Sequence, residues 1–240
     1  MRVLLLSGGY GTRLRPLTNT IPKCLVPING KPLLELWLER LNQAHMGPFL
    51  INTHYLADHV ESFIRNSLFM RQVTIVHEDK LLGTAGTLIR NLDFFQGEEG
   101  MLIHADNYCL ADFGEFELFH RKRPPECVMT MMTFRTEDPT SCGIVEIDQR
   151  GVVMEFHEKV SNPPGNLANG AIYILSPEML AEISRDLSSV KDFSMEILSH
   201  FRGRIFTYET LQPLIDVGTL PMYNLAIAIA KNNCLVKESK

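Results

Sequence analysis

The 240-residue chain is 45% hydrophobic and 21% charged, the make-up of a globular protein rather than a disordered or fibrous one. Its formal net charge of -5 excludes a general nucleic-acid binder, because covering phosphate backbones takes a basic surface; any anion site must be local. No run approaches bilayer-spanning length, and "MRVLLLSGG" turns polar too soon for a signal-peptide core. The scattered cysteines Cys24, Cys109, Cys127, Cys142 and Cys234 suit reduced thiols in a cytoplasm.

In chain order, short apolar or β-branched runs alternate with stretches of helical period, the pattern of a parallel sheet covered by helices on both faces. Strands are predicted at 3–6, 49–53, 73–77, 101–105 and 128–133, the last read as a buried central strand. Helices are predicted to begin near Pro32, Ala57, Thr84 and Asp112; Pro32 suits a first helical position, where its missing N–H would have been unpaired anyway. Leu33, Leu34, Trp37, Leu38 and Leu41 share one helix face and are core, so Trp37 is given no binding role. After Thr133 the texture changes. "CGIVEIDQRGVVMEFHEK" predicts two strands joined by a turn at 148–151, and residues 168–175 predict another, separated from them by the irregular "VSNPPGN". The last third predicts helices at 177–183 and 194–201, a strand at 204–208 and a final helix from Pro221, ending in a solvated tail.

The first strand runs into "LLLSGGYGTRLRPLTNTIPKCLVPINGKP". A glycine-rich turn there lies at the carboxyl edge of an α/β sheet, where such folds bind ligands. Gly8, Gly9 and Gly11 let main-chain N–H groups approach phosphate oxygens, while Arg13, Arg15 and Lys23 add positive charge. The pattern describes a seat for a triphosphate. It is not a Rossmann fingerprint, since Arg13 stands where a helix-opening glycine belongs and Asn52-Thr53 where an acidic residue belongs. Nor is it a Walker A loop, since Gly30-Lys31 is followed by Pro32.

The same segment resembles, nearly position for position, the signature of the sugar-1-phosphate nucleotidylyltransferases. The resemblance continues through "LGTAGTL", "HADNY", "CGIVEID", "EKV", "NGAIYILSP" and "IDVGTLPMY", and so covers essentially the whole chain. It implies a single-domain, three-layer α/β/α Rossmann-like (GT-A-like) fold with a mixed, mainly parallel sheet and a small sugar-binding lobe. The nucleotide-binding part would occupy mainly 1–135, the sugar-phosphate part mainly 136–220 with the small lobe at roughly 136–169, and a C-terminal helix 221–236.

The implied chemistry is in-line attack of a sugar-1-phosphate oxygen on the α-phosphorus of a nucleoside triphosphate, with Mg2+ as cofactor and pyrophosphate leaving. Arg13, Lys23, Asp106 and Asp216 are the implied catalytic residues, the two aspartates binding the metal. Leu6, Gly8, Gly9, Gly11, Thr12, Arg13, Glu78, Gly83 and Thr84 are the implied nucleotide contacts. Asn107, Gly143, Glu158, Lys159, Asn169 and Gly170 are those of the sugar phosphate. His104 and His157 are read as structural, and Arg15 as a rim charge. Glu78 and Asp79 stand where pyrimidine-using members commonly place glutamine; a carboxylate only accepts, which suits the adjacent donors of guanine and inclines the reading to GTP and to the mannose-1-phosphate guanylyltransferase branch.

Ser7 for the usual alanine, "HAD", Val160 and Leu220 depart from the family pattern and bear on sugar choice more than on catalysis. The sequence ends soon after the last helix, so an appended left-handed β-helix is not expected. A non-catalytic sensor would have no need of the full charged set, and a glycosyltransferase of related architecture usually holds its metal on a DxD pair, absent here. The expected partners are the two small-molecule substrates, without nucleic acid or membrane; a homo-oligomer is compatible with the resemblance.

Overall fold

The computed structural model describes residues 1–238, with side chains as far as Asn233; Cys234 and the tail beyond it lie outside the described side chains. The elements are β1 (Arg2–Leu6), the short pair β2 (Pro27–Ile28) and β3 (Lys31–Pro32), α1 (Leu33–Gln43), β4 (Phe49–Thr53), α2 (Ala57–Arg65) and β5 (Val73–His77). There follow α3 (Thr84–Arg90), β6 (Gly100–His104), β7 (Asn107–Cys109), α4 (Phe113–His120), β8 (Met129–Arg135), β9 (Gly143–Ile147), β10 (Val153–Glu158) and β11 (Leu167–Leu175). The chain closes with α5 (Pro177–Asp186), a π-helical turn running into the short α6 (Leu198–His200), β12 (Ile205–Glu209), β13 (Leu214–Asp216) and α7 (Leu220–Glu238). The fold is α/β with a mixed, mostly parallel sheet and helices, as the sequence predicts.

One expectation is corrected. Pro32 is not the first helical residue: its extended ψ of 137° makes it the cap that ends β3, and Leu33 opens α1. The β2–β3 and β7–β13 pairs, two or three residues long, carry no hydrophobic period and escape sequence reading.

The chain forms two compact units that interleave along the sequence. The first comprises Met1–Leu4, Leu82–Ile103 and Asp112–Leu211. Its strand order is β10-β9-β11-β6-β1, with β8 paired to β11 and β12 to β8. β11 runs antiparallel to β6, β8 and β9, whereas β12 runs parallel to β8, so β6, β8 and β12 share one direction. Met129, Met131 and Met132 are fully buried on β8, which is flanked by β11 and β12, the central strand that its apolar run predicts. Helices α4 and α5 start on side-chain caps: Asp112 accepts the Glu115 N–H at 2.9 Å, and Ser176 accepts the Met179 N–H at 3.2 Å ahead of Pro177.

The second unit comprises Leu5–Leu81, His104–Ala111 and Gln212–Lys240. Its strand order is β1-β4-β5, with β4 and β5 parallel and in register from Phe49↔Val73 to Thr53↔His77. The predicted stripe of α1 is its core, Leu33, Leu34, Trp37, Leu38 and Leu41 all being buried. Trp37 does more than fill space. Its indole N–H donates to the Asn107 carbonyl oxygen at 2.8 Å, which ties α1 to β7. Trp37→Phe keeps most of the apolar area but drops this bond; in urea denaturation it should cost about 1–2 kcal/mol, the range of one buried hydrogen bond with some lost packing.

Candidate active site

The glycine loop follows β1 and enters a short 3-10 turn at Thr12–Leu14. Gly11 adopts φ +61°, the left-handed region where a side chain is disfavoured, and a Cβ there would also press on Thr18 at 3.0 Å and on Lys23 at 3.2 Å. Thr18 Oγ1 donates to the Gly11 carbonyl at 2.7 Å and holds the turn closed. Gly9 differs: a Cβ would meet no atom within 4 Å, so the protein's own packing does not demand glycine there.

Lys23 opens a further 3-10 turn, Lys23–Leu25, with its side chain 9% exposed. Its Nζ donates to Asp106 Oδ2 at 2.7 Å and to Asp216 Oδ1 at 3.2 Å. The other oxygen of Asp216 is 3.6 Å from Arg13 Nη2. Four charges predicted from separate stretches of sequence are therefore one cluster.

Short strands bring them together. Asp106 lies in the bend between β6 and β7, where the Ala105 N–H donates to the Leu6 carbonyl at 3.0 Å. β13 runs antiparallel to β7 with Asp216 opposite Asn107, and the Val217 N–H donates to the Asp106 carbonyl at 3.1 Å. The register of this small ladder sets the two carboxylates side by side. Gly218 completes the corner, since a Cβ on it would lie 2.9 Å from both Arg13 Nη2 and Asp216 Oδ2. Gly218 was not among the predicted site residues, although it stands within the "DVGT" stretch that carried Asp216; its role is to leave room, which sequence does not display.

Burial by itself would depress the Lys23 ammonium, yet the Asp106 and Asp216 carboxylates outweigh it and hold its pKa above the ordinary lysine value. For Asp106 burial pushes upward, and the Lys23 charge, with a smaller contribution from His104, overcomes it and lowers the carboxyl pKa. The neighbouring Cys24 thiol is fully buried and pushed up to about 12 by desolvation, so it stays protonated.

The remaining predicted contacts divide between the two units. Leu6, Gly8, Gly9, Gly11, Thr12, Glu78 and Asn107 belong to the second, with the cluster. Asn107 is buried opposite Asp216, and Glu78 is buried with Oε1 accepting from Asn52 Nδ2 at 3.2 Å. Arg15 is exposed, as a rim charge should be.

Gly83, Thr84, Gly143, Glu158, Lys159, Asn169 and Gly170 belong to the first unit. A Cβ on Gly83 would strike the Lys191 carbonyl oxygen at 2.4 Å, and Thr84 Oγ1 accepts the Phe193 N–H at 2.8 Å, so both serve local packing at the start of α3. Gly143 pairs with Glu158 across β9 and β10, and a Cβ on it would lie 2.7 Å from Glu158 Oε2. Lys159 Nζ is 3.1 Å from Glu158 Oε1. Asn169 donates from Nδ2 to the Tyr173 hydroxyl at 2.7 Å and accepts the Ala171 N–H at 2.9 Å, at an irregularity in β11. Tyr173 was not predicted; its phenol, raised in pKa by full burial, orients Asn169 as a permanent hydroxyl. His157, read as structural, pairs with Glu146 at 2.8 Å on the adjacent strand.

Comparison with known proteins follows the same residues. The family described as nucleotidyl transferase matches residues 2–228. Mannose-1-phosphate guanyltransferase beta-B of Xenopus laevis is 31% identical over 224 residues, covering 91% of this chain and 61% of the relative. Glucose-1-phosphate thymidylyltransferase of Streptomyces griseus is 29% identical over 219 residues, 91% of this chain and 58% of that one. The chain thus spans about three fifths of the length of these curated relatives. Among solved structures, HddC from Yersinia pseudotuberculosis complexed with GMP-PN superposes with a TM-score of 0.79 at 25% identity, covering 95% of this chain and 98% of its own.

The charge cluster predicts a pH-dependent stability. Asp106, with a lowered pKa, contributes fully above its unfolded value of about 3.9, and that contribution is lost as pH falls through the folded value. Lys23, with a raised pKa, contributes fully below about 10.4, and that contribution is lost as pH rises through the folded value. Lys23→Met should therefore cost about 1–2 kcal/mol near neutral pH, a figure reduced for solvent screening of the two part-exposed carboxylates. The deficit should shrink as Asp106 protonates on acidification, which urea titrations at several pH values would measure.

Proposed function

The chain belongs to the nucleotidyl transferase family, and from that premise we propose that it transfers a nucleoside monophosphate from a nucleoside triphosphate, GTP by preference, to a hexose- or heptose-1-phosphate, releasing pyrophosphate. One observation carries the reading: Lys23, Asp106 and Asp216 meet beside a glycine loop, with one ammonium within 3.2 Å of both carboxylates. Such a cluster suits a reaction that must bring two polyanions together.

A divalent cation fits the aspartate pair, because both carboxylates already converge on a single positive charge and supply the hard oxygens that magnesium takes. Asp106 and Asp216 would hold it, and when bound it would neutralise phosphate charge at the reacting centre.

The chain's own residues supply the remaining roles. Main-chain N–H groups from Gly8 to Thr12 receive the phosphate oxygens, and the open space at Gly9 admits them closely. Arg13, 63% exposed and loosely paired, turns to the departing pyrophosphate, for which a planar guanidinium is well shaped. Lys23 exchanges a carboxylate for the α-phosphate. A sugar-phosphate oxygen then bonds to the α-phosphorus as the bond to the bridging α–β oxygen breaks, and pyrophosphate leaves with that electron pair. No proton needs to move at phosphorus. Glu158 is assigned the sugar hydroxyls and Lys159 the sugar phosphate, and Gly143, Asn169 and Gly170 are assigned further contacts to the sugar.

The preference for GTP draws on the guanyltransferase relative and the GMP-PN complex, against the thymidylyltransferase relative. No helix among the described residues is long and apolar enough to cross a membrane, and the proposed setting is the cytoplasm, where nucleoside triphosphates are made.

The test is pyrophosphate release with GTP, UTP, dTTP, CTP and ATP against a panel of sugar-1-phosphates in magnesium. Release should be fastest with GTP, and silence across the whole panel would remove the proposal. Asp106→Asn should lower kcat by about 10²-fold or more; full turnover in that variant would count against the assigned metal site. Gly218→Ala should lower kcat/KM by about tenfold through displacement of Asp216 and Arg13, with little change in urea stability.

A further inference from the structure

Two polar side chains beneath the glycine loop are almost wholly buried, Asn52 at 4% exposure and Glu78 at 1%. Asn52 lies near the end of β4 and Glu78 just beyond β5, and the parallel register, with Asn52 opposite Val76, brings them within reach of each other. Asn52 Oδ1 accepts the main-chain N–H of Ser7 at 2.8 Å, and the Ser7 hydroxyl donates to the Asn52 carbonyl at 2.5 Å. On its other side Asn52 Nδ2 donates to Glu78 Oε1 at 3.2 Å. A Cβ on Gly8 would lie 3.0 Å from that same Nδ2, so the loop rests directly on the amide.

A second tie reaches the loop tip. The Tyr10 hydroxyl is 2.9 Å from His54 Nε2, and His54 Nδ1 is 2.7 Å from the Glu78 carbonyl oxygen. A nitrogen facing a carbonyl carries the proton, so His54 Nδ1 donates to the Glu78 carbonyl and Nε2 faces the Tyr10 hydroxyl. Both ties end on Glu78, one on its carboxylate and one on its main chain.

We propose that Asn52 and Glu78 are positioning residues that hold the phosphate-binding loop in shape, Glu78 acting on the triphosphate through Asn52 and Ser7 rather than on the nucleobase. This rests on the reading of residues 8–12 as the phosphate seat. The physical requirement is specific. Only a side chain with an acceptor and a donor can bridge the Ser7 N–H and a carboxylate. Aspartate at 52 would set two carboxylates against each other, and glutamine at 78 would restore a donor while returning the original net charge.

The experiment compares Asn52→Asp, Glu78→Gln and the double variant by amide hydrogen–deuterium exchange of the loop peptide, without substrate, and by KM and kcat for GTP. Asn52→Asp should speed exchange at residues 7–12 and raise the KM for GTP, each by about tenfold or more, and the double variant should return both to within about threefold of wild type. Loss of folded protein alone would lower kcat and leave KM in place. If Asn52→Asp does not fold, Tyr10→Phe cuts one hydroxyl from a half-exposed ring and should raise loop exchange by about threefold. Unchanged exchange in Asn52→Asp, or a double variant no better than Asn52→Asp, would overturn the proposal. So would a Glu78→Gln enzyme that shifts its GTP-over-UTP preference while loop exchange stays as in wild type. Should wild type turn over no nucleotide, the assigned reaction fails, while the exchange comparison still decides whether the loop is clamped.

Discussion

Lys23 holds a positive charge almost entirely out of water, and Asp106 and Asp216 make that burial tolerable. For Lys23 and Asp106 the relation is mutual: burial works against the charge of each, and the opposite charge of the other helps to outweigh it. The same compensation makes the cluster suited to exchange. In the proposed reaction, an ammonium shared between two carboxylates can move to a phosphate once a divalent cation takes its place.

Around that interaction, small features act as precise spacers. The β7–β13 ladder is three residues long, too short to stabilise anything by itself, yet its register decides that Asp216 stands next to Asp106. Trp37 fastens β7 through the Asn107 carbonyl, and Gly218 leaves the volume in which Asp216 and Arg13 lie. The glycine loop is secured from below by Asn52 and at its tip by His54. A loop made supple by glycine is in this way given a defined shape by groups outside it, which is what pre-organised phosphate contacts require.

The first unit repeats the strategy with different materials. Glu158, the last residue of β10, lies against Gly143 and pairs with Lys159 just beyond the strand, and Asn169 is oriented by a buried tyrosine at an irregularity of β11. Ser7 shows how a departure from the family pattern acquires meaning only in three dimensions. As a sequence feature it replaces a small residue by another; in the fold its hydroxyl adds a second bond to Asn52.

Composition and hydrophobic period were enough to establish an α/β chain and to place its major strands and the α1 core stripe, because period is a local property, whereas Arg13, Lys23, Asp106 and Asp216 were singled out by the resemblance to the sugar-1-phosphate nucleotidylyltransferases. What depends on contacts between distant segments had no local trace. The capping position of Pro32, the two-stranded β7–β13 register, the space kept by Gly218, the Tyr173 partner of Asn169 and the commitment of Glu78 to Asn52 were decided only by tertiary structure. A pairing register or an excluded volume is set jointly by two stretches of chain, and neither stretch alone contains it.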